Sequence, residues 1–225
     1  MKSILFFLAI SLTFLGYSQT NKFAPVLVRV MNNNKQPIPF DKIIFKGRTN
    51  KKTIVGVTGV NGAFNTTLPV GDIYDVEIDA IGEQLEYNSI EIASIPENAE
   101  YGLMELFILY DMPEMFTLSN LHFETGKSTI KSSSYASLNQ LAEFLVRKKT
   151  QRILIAGHTD NVGDPAANNM LSLDRAETVK KYLINKGVPI ELLKAKGYGD
   201  TKPIDDNSKE TGRAINRRTE IHVVK

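Results

Sequence analysis

The chain has 225 residues, 27 Lys and Arg against 25 Asp and Glu, and neither cysteine nor tryptophan. That length suits one large domain or two ordinary ones, each big enough to bury a core of its own. The lack of cysteine excludes disulfide stapling, thiol catalysis, thiolate metal sites and lipid attachment to an N-terminal cysteine.

The chain opens "MKSILFFLAISLTFLGYSQ", an early lysine followed by an apolar run and then small residues. This is the layout of a signal peptide, expected over residues 1–18 with cleavage before Gln19, so the mature protein is expected to be exported to the periplasm. The apolar run is shorter than the roughly 20 residues that a membrane-spanning helix needs. No later stretch approaches a span.

Charge is distributed unevenly. Residues 19–115 carry 8 Lys and Arg against 13 Asp and Glu, whereas residues 116–225 carry 18 against 12. The shift predicts a boundary near residue 115, and the texture of the sequence changes there too. Upstream come "VLVRVM", "FDKIIFKG", "TIVGVTG", "GAFNTTL", "IYDVEIDAIG", "NSIEIAS" and "LMELFILY", short β-branched and aromatic runs separated by turn signals. They predict an all-β sandwich over residues 19–112. Asn61-Gly62 suits the turn of a hairpin, and Pro69 with Gly71 marks the next reversal.

Through "QPIPFDKIIFKG" and "TGVNGAFNTTLPVGDIYDVEI", this half resembles the carboxypeptidase regulatory-like, or transthyretin-related (Ig-like), β-sandwich domain over about residues 24–111. The family usually has an Asp where Gly59 or Val60 stands here. The resemblance implies a spacer or an interaction module, and no cluster of His, Asp and Glu in this half suggests a metal or catalytic site.

Residues 113–117 are expected as a linker, and residues 118–225 as an α/β domain. "FTLSNLHF" predicts a strand, "YASLNQLAEFLVRKK" an amphipathic helix with Leu138, Leu141, Ala142 and Leu145 on one face, and "QRILIAG" a buried strand. "DPAANNMLSLDRAETVKKYLINKG" carries the punctuation of a whole helix: Asp164 as N-cap, Pro165 in the first turn, lysines toward the end, and Gly187 as terminator. "LLKAKGYG" and "RRTEIHVVK" predict two more strands. The order strand, helix, strand, helix, strand, strand implies a mixed sheet covered by helices. Between the last two strands, "GYGDTKPIDDNSKETGRAIN" predicts a long polar surface loop, and its glycines lack the third member and the following helix of a phosphate cradle.

Within the second predicted helix, Arg175 falls in line with Leu171 and Val179, on what should be the buried stripe. Asn168 and Arg175, seven residues apart, point within about 20° of each other, separated by about 10 Å along the axis. A guanidinium there needs an anion, since leaving one partner of a buried pair alone costs ~3–5 kcal/mol. The internal candidate is Asp160, at the end of "RILIAGHTD". Either Asp160 and Arg175 pair and fasten the turn, or both stand at a pocket mouth and hold a zwitterion, the carboxylate on an ammonium and the guanidinium fork on a carboxylate. The two readings coexist if a ligand replaces or spans the internal pair.

The stretch "TDNVGDPAANNMLSLDRAETVKKYL", with "GYGDTKP" and "GRAINRRTEI", resembles the OmpA-like peptidoglycan-binding domain over about residues 118–224. The resemblance implies a pocket for the diaminopimelate residue of the peptidoglycan stem peptide, held by Asp160 and Arg175. It implies that Asn168 and Arg217 line that pocket, with Thr159 at its edge. In "FETGKSTI" the family often has Asn or Asp where Gly126 stands, so a side-chain contact from that position is absent here.

No serine sits in a nucleophile-elbow pattern, and His158 reads as a hydrogen-bonded loop residue, so no catalytic residue, cofactor or metal is expected. "DNVGD" lacks the ligand count of a calcium loop. The basic charge of the second half is scattered and has few aromatic partners, which argues against nucleic acid. The expectation is a non-catalytic envelope protein that binds peptidoglycan and tethers or positions components at the wall and outer membrane. The rival is an architectural or adhesin-type protein whose β-sandwich binds a protein partner, with the wall domain only as an anchor.

Overall fold

The computed structural model describes residues 8–9, 12–13, 23–80, 83–97, 99–118 and 120–224. The expected signal peptide lies outside the described residues, apart from the two-residue strands Leu8–Ala9 and Leu12–Thr13. The chain divides into two compact units, Met1–Met112 and Pro113–Lys225.

The first unit is β-rich. Its principal strands are β1 (Phe23–Met31), β2 (Lys42–Gly47), β3 (Thr53–Val57), β4 (Ala63–Pro69), β5 (Asp72–Ala80), β6 (Glu83–Ile92) and β7 (Met104–Leu109). Each falls on one of the seven runs read from the sequence. One sheet sets β7 parallel to β1 and β1 antiparallel to β4. The other runs β3-β2-β5-β6, antiparallel throughout, with a bulge between Val76 and Glu77. Period-two patterning buries one face of each sheet: Ala24, Val26, Val28 and Val30 in the first, and Tyr74, Val76 and Ile78 in the second, are all at most 1% exposed.

The turn at Asn61-Gly62 does not close a hairpin. β3 pairs with β2 and β4 with β1, so the chain passes from one sheet to the other there. Local turn chemistry is the same for both connections; the half-buried Phe64 packs across on β3, where a Cβ on Gly56 would lie 1.9 Å from its ring.

The second unit begins earlier than expected. Met115–Thr117, inside the segment expected as a linker, forms β8, which pairs antiparallel with β11 (Thr219–Val224). β11 pairs antiparallel with β9 (Arg152–Gly157), and β9 pairs parallel with β10 (Leu193–Gly197). The mixed sheet order is therefore β8-β11-β9-β10. Helix α1 (Tyr135–Lys148) buries Leu138, Leu141, Phe144 and Leu145 at helical spacing.

Helix α2 (Pro165–Asn185) starts as its sequence dictates. Asp164 accepts from the Ala167 N–H at 2.9 Å and Pro165 occupies the first turn. α2 lies close against the C-terminal ends of β9 and β10. A Cβ on Gly157 would sit 2.1 Å from the Ser172 carbonyl oxygen, and one on Gly197 2.6 Å from the Leu173 nitrogen. Two strand glycines thus let the helix backbone approach the sheet.

The polar segment after β10 is more ordered in architecture than its composition predicts. It contains a short helix, α3 (Glu210–Asn216). It winds around the fully buried Asn216 side chain, which accepts from the Ile204 and Asp205 N–H groups and donates to the Asp205 carbonyl and to Asn207 Oδ1. One buried amide organises a loop that has no apolar run to announce it.

Candidate functional site

A cleft of about 890 Å³ opens in the second unit, lined by residues from the 121–126 segment, the end of β9, the start of α2 and α3. Asp160, Thr159, Asn168, Arg175 and Arg217 all line it. The local folding logic is short. β9 delivers His158 and Thr159 to the C-terminal end of the sheet, and their N–H groups donate to Arg218 and Gly199 carbonyls. The turn that follows then carries Asp160 back toward the first turns of α2.

Asn168 shapes this turn. Its amide nitrogen donates to the Asp160 carbonyl at 3.3 Å and to the Val162 carbonyl at 3.1 Å. The side chain is 8% exposed, and both of its donors are committed to backbone. Its contribution to the cleft is therefore to hold Asp160 in place.

The stripe that α2 buries runs Asn168, Ser172, Ala176, Val179, Leu183. Leu171 and Arg175 stand beside it, half-buried, so Arg175 marks the margin of the stripe. The pattern in sequence put Arg175 in the line because Val179 lies four residues from Arg175 and three from Ala176, and both spacings share a helical face.

Asp160 and Arg175 do not pair. Asp160 Oδ2 accepts from Arg217 Nη1 at 2.6 Å, and its Oδ1 accepts from the Val162 N–H at 3.1 Å. Arg175 Nε donates to the Lys127 carbonyl at 3.0 Å, and its guanidinium lies over the Phe123 ring, 5.1 Å from the centroid. Among the described residues Arg175 has no carboxylate partner. Burial, and then the neighbouring Arg217 charge, pull its pKa below the ordinary arginine value, against the attraction of Asp160. Of the two readings left open by the sequence, the fastening between Asp160 and Arg175 is absent, and Asp160 pairs with Arg217 instead. Arg217, at the C-terminal end of α3, takes the carboxylate, while the Lys127 carbonyl and the Phe123 ring satisfy Arg175.

Arg217 also donates through Nη2 to Glu210 Oε1 at 2.8 Å, and Glu210 accepts from Arg213 at 2.8 Å. These hydrogen bonds raise the Arg217 pKa, Asp160 contributing most, and hold the Glu210 pKa below its usual range. Glu210 is absent from the set read from sequence, although its spacing to Arg213 and Arg217, three and seven, is the signal of a shared helical face.

His158 and Arg218 line the cleft and form a charged cluster with Glu220 and His222, in which the His158 ring nitrogens, buried, make no hydrogen bond among the described residues. Arg218 donates to Glu220 Oε1 at 2.7 Å, while Glu220 Oε2 is 2.8 Å from His222 Nε2 and 3.3 Å from His158 Nε2. His158 stacks on Tyr198 at 5.2 Å between ring centroids and is 2% exposed. Burial, followed by the Arg218 charge, lowers its pKa to about 4, the nearby Glu220 opposing. Glu220 itself is held below its ordinary value: burial pushes it up, but Arg218 and His222 outweigh that. Among the described residues, no group of three or more His, Cys, Asp or Glu side chains could hold a metal ion. Nor is any described helix long and apolar enough to cross a membrane.

The sequence model of the OmpA family matches residues 122–217. Outer membrane porin F of Pseudomonas fluorescens is 40% identical over 104 residues, spanning 46% of this chain and 32% of that protein. The peptidoglycan-associated lipoprotein of Buchnera aphidicola is 36% identical over 103 residues, covering 46% of this chain and 60% of the relative. A solved structure, the peptidoglycan-associated lipoprotein from Burkholderia pseudomallei, is 30% identical and covers 46% of this chain and 88% of its own, with a TM-score of 0.44. The chain therefore spans about a third of the porin F sequence it matches. Residues 122–217 are an OmpA family domain.

Proposed function

We propose that the second unit binds peptidoglycan without catalysis, holding the diaminopimelate of the stem peptide, and that the protein anchors or positions envelope components at the cell wall. In this reading Asp160 receives the ammonium of the zwitterion and Arg175 its carboxylate, with Thr159 and Arg217 at the walls and Asn168 fixing the loop. The observation that carries it is Arg175: a guanidinium with no carboxylate partner among the described residues, on the same cleft as a carboxylate. Its planar fork matches an incoming carboxylate with two parallel hydrogen bonds. Export to the periplasm, and a carboxypeptidase regulatory-like identity for the first unit, acting as spacer or partner-binding module, complete the proposal.

The test is ligand-linked stability. Free meso-diaminopimelate should raise the melting temperature of the wild type and of neither Asp160→Ala nor Arg175→Ala, because only a ligand that binds the folded state stabilises it. Equal shifts in all three proteins would refute the assignment.

A further inference from the structure

Asp160 does not wait for an ammonium with a bare carboxylate. Arg217 covers it: Nη1 donates to Oδ2 at 2.6 Å, the Asp160 side chain is 13% exposed, and its second oxygen is taken by the Val162 N–H. The other arm of the same guanidinium reaches Glu210, which is 66% exposed and also bound to Arg213. One arginine therefore bridges two carboxylates, one at the base of the cleft and one at its rim. Arg175, by contrast, meets a backbone carbonyl and an aromatic face.

We propose that Arg217 is the resident cation of the ammonium subsite and that Glu210 is the positioning residue that receives it when a ligand amine arrives. The inference rests on the zwitterion reading above and adds to it an exchange. Both Asp160 oxygens are engaged and the side chain is only 13% exposed, so a ligand amine reaches this carboxylate by displacing Arg217 from Oδ2. Glu210 offsets the cost of that displacement because the freed Nη1 arm joins Nη2 on the same carboxylate, turning one charge-assisted bond into a forked pair. The cleft thereby discriminates by charge. An amine competes for Asp160, whereas a ligand that brings only carboxylates gains from Arg217 and leaves it seated.

The two classes of ligand should respond to substitution with opposite signs. In calorimetric titrations of the full chain, Arg217→Gln should bind meso-diaminopimelate about two- to five-fold more tightly than wild type, by removing the charge that competes for Asp160. The same variant should bind N,N′-diacetyl-diaminopimelate, whose amines are capped, more weakly. Glu210→Gln should do the reverse for the free amine, weakening it, and provides the test should Arg217→Gln fail to fold. Loss of affinity for both ligands in Arg217→Gln, or unchanged affinity for the free amine in Glu210→Gln, would overturn the exchange while leaving the peptidoglycan reading intact. If the wild type binds neither ligand, the peptidoglycan reading falls, and methylammonium decides the exchange independently. The Arg217 Nε–H resonance should shift on its addition, and a resonance that stays in place overturns the proposal.

Discussion

The carboxylate of Asp160 meets Arg217 at 2.6 Å, while Arg175 on the same cleft rests on the Lys127 carbonyl and the ring of Phe123. This separation of one acid and two bases decides what each substitution should do.

Arg175→Ala should cost little stability. It removes one neutral-acceptor hydrogen bond and a cation–π contact, each worth about 1 kcal/mol, and leaves no buried carboxylate alone. Urea unfolding of the variant should show a loss of about 1–2 kcal/mol. A loss of about 3–5 kcal/mol, the signature of a broken buried ion pair, would mean that Arg175 fastens the fold.

Asn168→Ala should cost more than its small side chain suggests. It strips two donors from carbonyls at the turn that carries Asp160, at about 1–3 kcal/mol. The prediction is a lower urea midpoint together with weaker ligand binding, whereas a variant with unchanged midpoint would show that the turn stands without Asn168.

His158 should make the second unit acid-sensitive. Its folded pKa, about 4, lies below the ordinary value of 6.5, so between those values the unfolded chain binds the extra proton and stability falls as pH falls. The full difference is roughly 3 kcal/mol, lost progressively from about pH 6.5 to about pH 4. Glu220, also depressed, adds its own loss as pH falls from the ordinary glutamate value toward its lowered pKa. Melting curves at pH 7 and pH 4.5 should therefore differ less for His158→Gln than for wild type. Identical pH dependence in both proteins would exclude His158 as the source.

Gly126 lines the cleft with φ +66°, and a Cβ there would meet nothing within 4 Å. Asn tolerates that left-handed backbone far better than a β-branched residue. Gly126→Asn should leave stability within about 1 kcal/mol of wild type, and Gly126→Val should lose more, about 1–3 kcal/mol. Chemical unfolding of the pair checks the order, and equal stability of the two would show that the backbone relaxes.

Much of this was legible in residues. The seven principal strands of the first unit announced themselves by β-branched runs, and α2 by its cap, its proline and its spacing. What the sequence could not show was which strand pairs with which across Asn61-Gly62, because turn chemistry is local and sheet assignment is not. The cleft was half legible. Asp160, Asn168, Arg175, Thr159 and Arg217 were read from spacing and resemblance, but whether Asp160 pairs with Arg175 was left open by the sequence, and Arg217 as its partner was not foreseen. The polar segment before Arg217 looked like loop, and α3 with Glu210 stayed hidden within it. A helix of this length has too little apolar surface to leave a period in the sequence, and it is held by the buried amide of Asn216.

Co-sedimentation with purified sacculi containing diaminopimelate, comparing wild type with folded Asp160→Ala and Arg175→Ala variants, tests the central claim most directly. The wild type should pellet with the sacculi and both variants should remain in the supernatant. Pelleting of the folded variants to the same extent as wild type would contradict it.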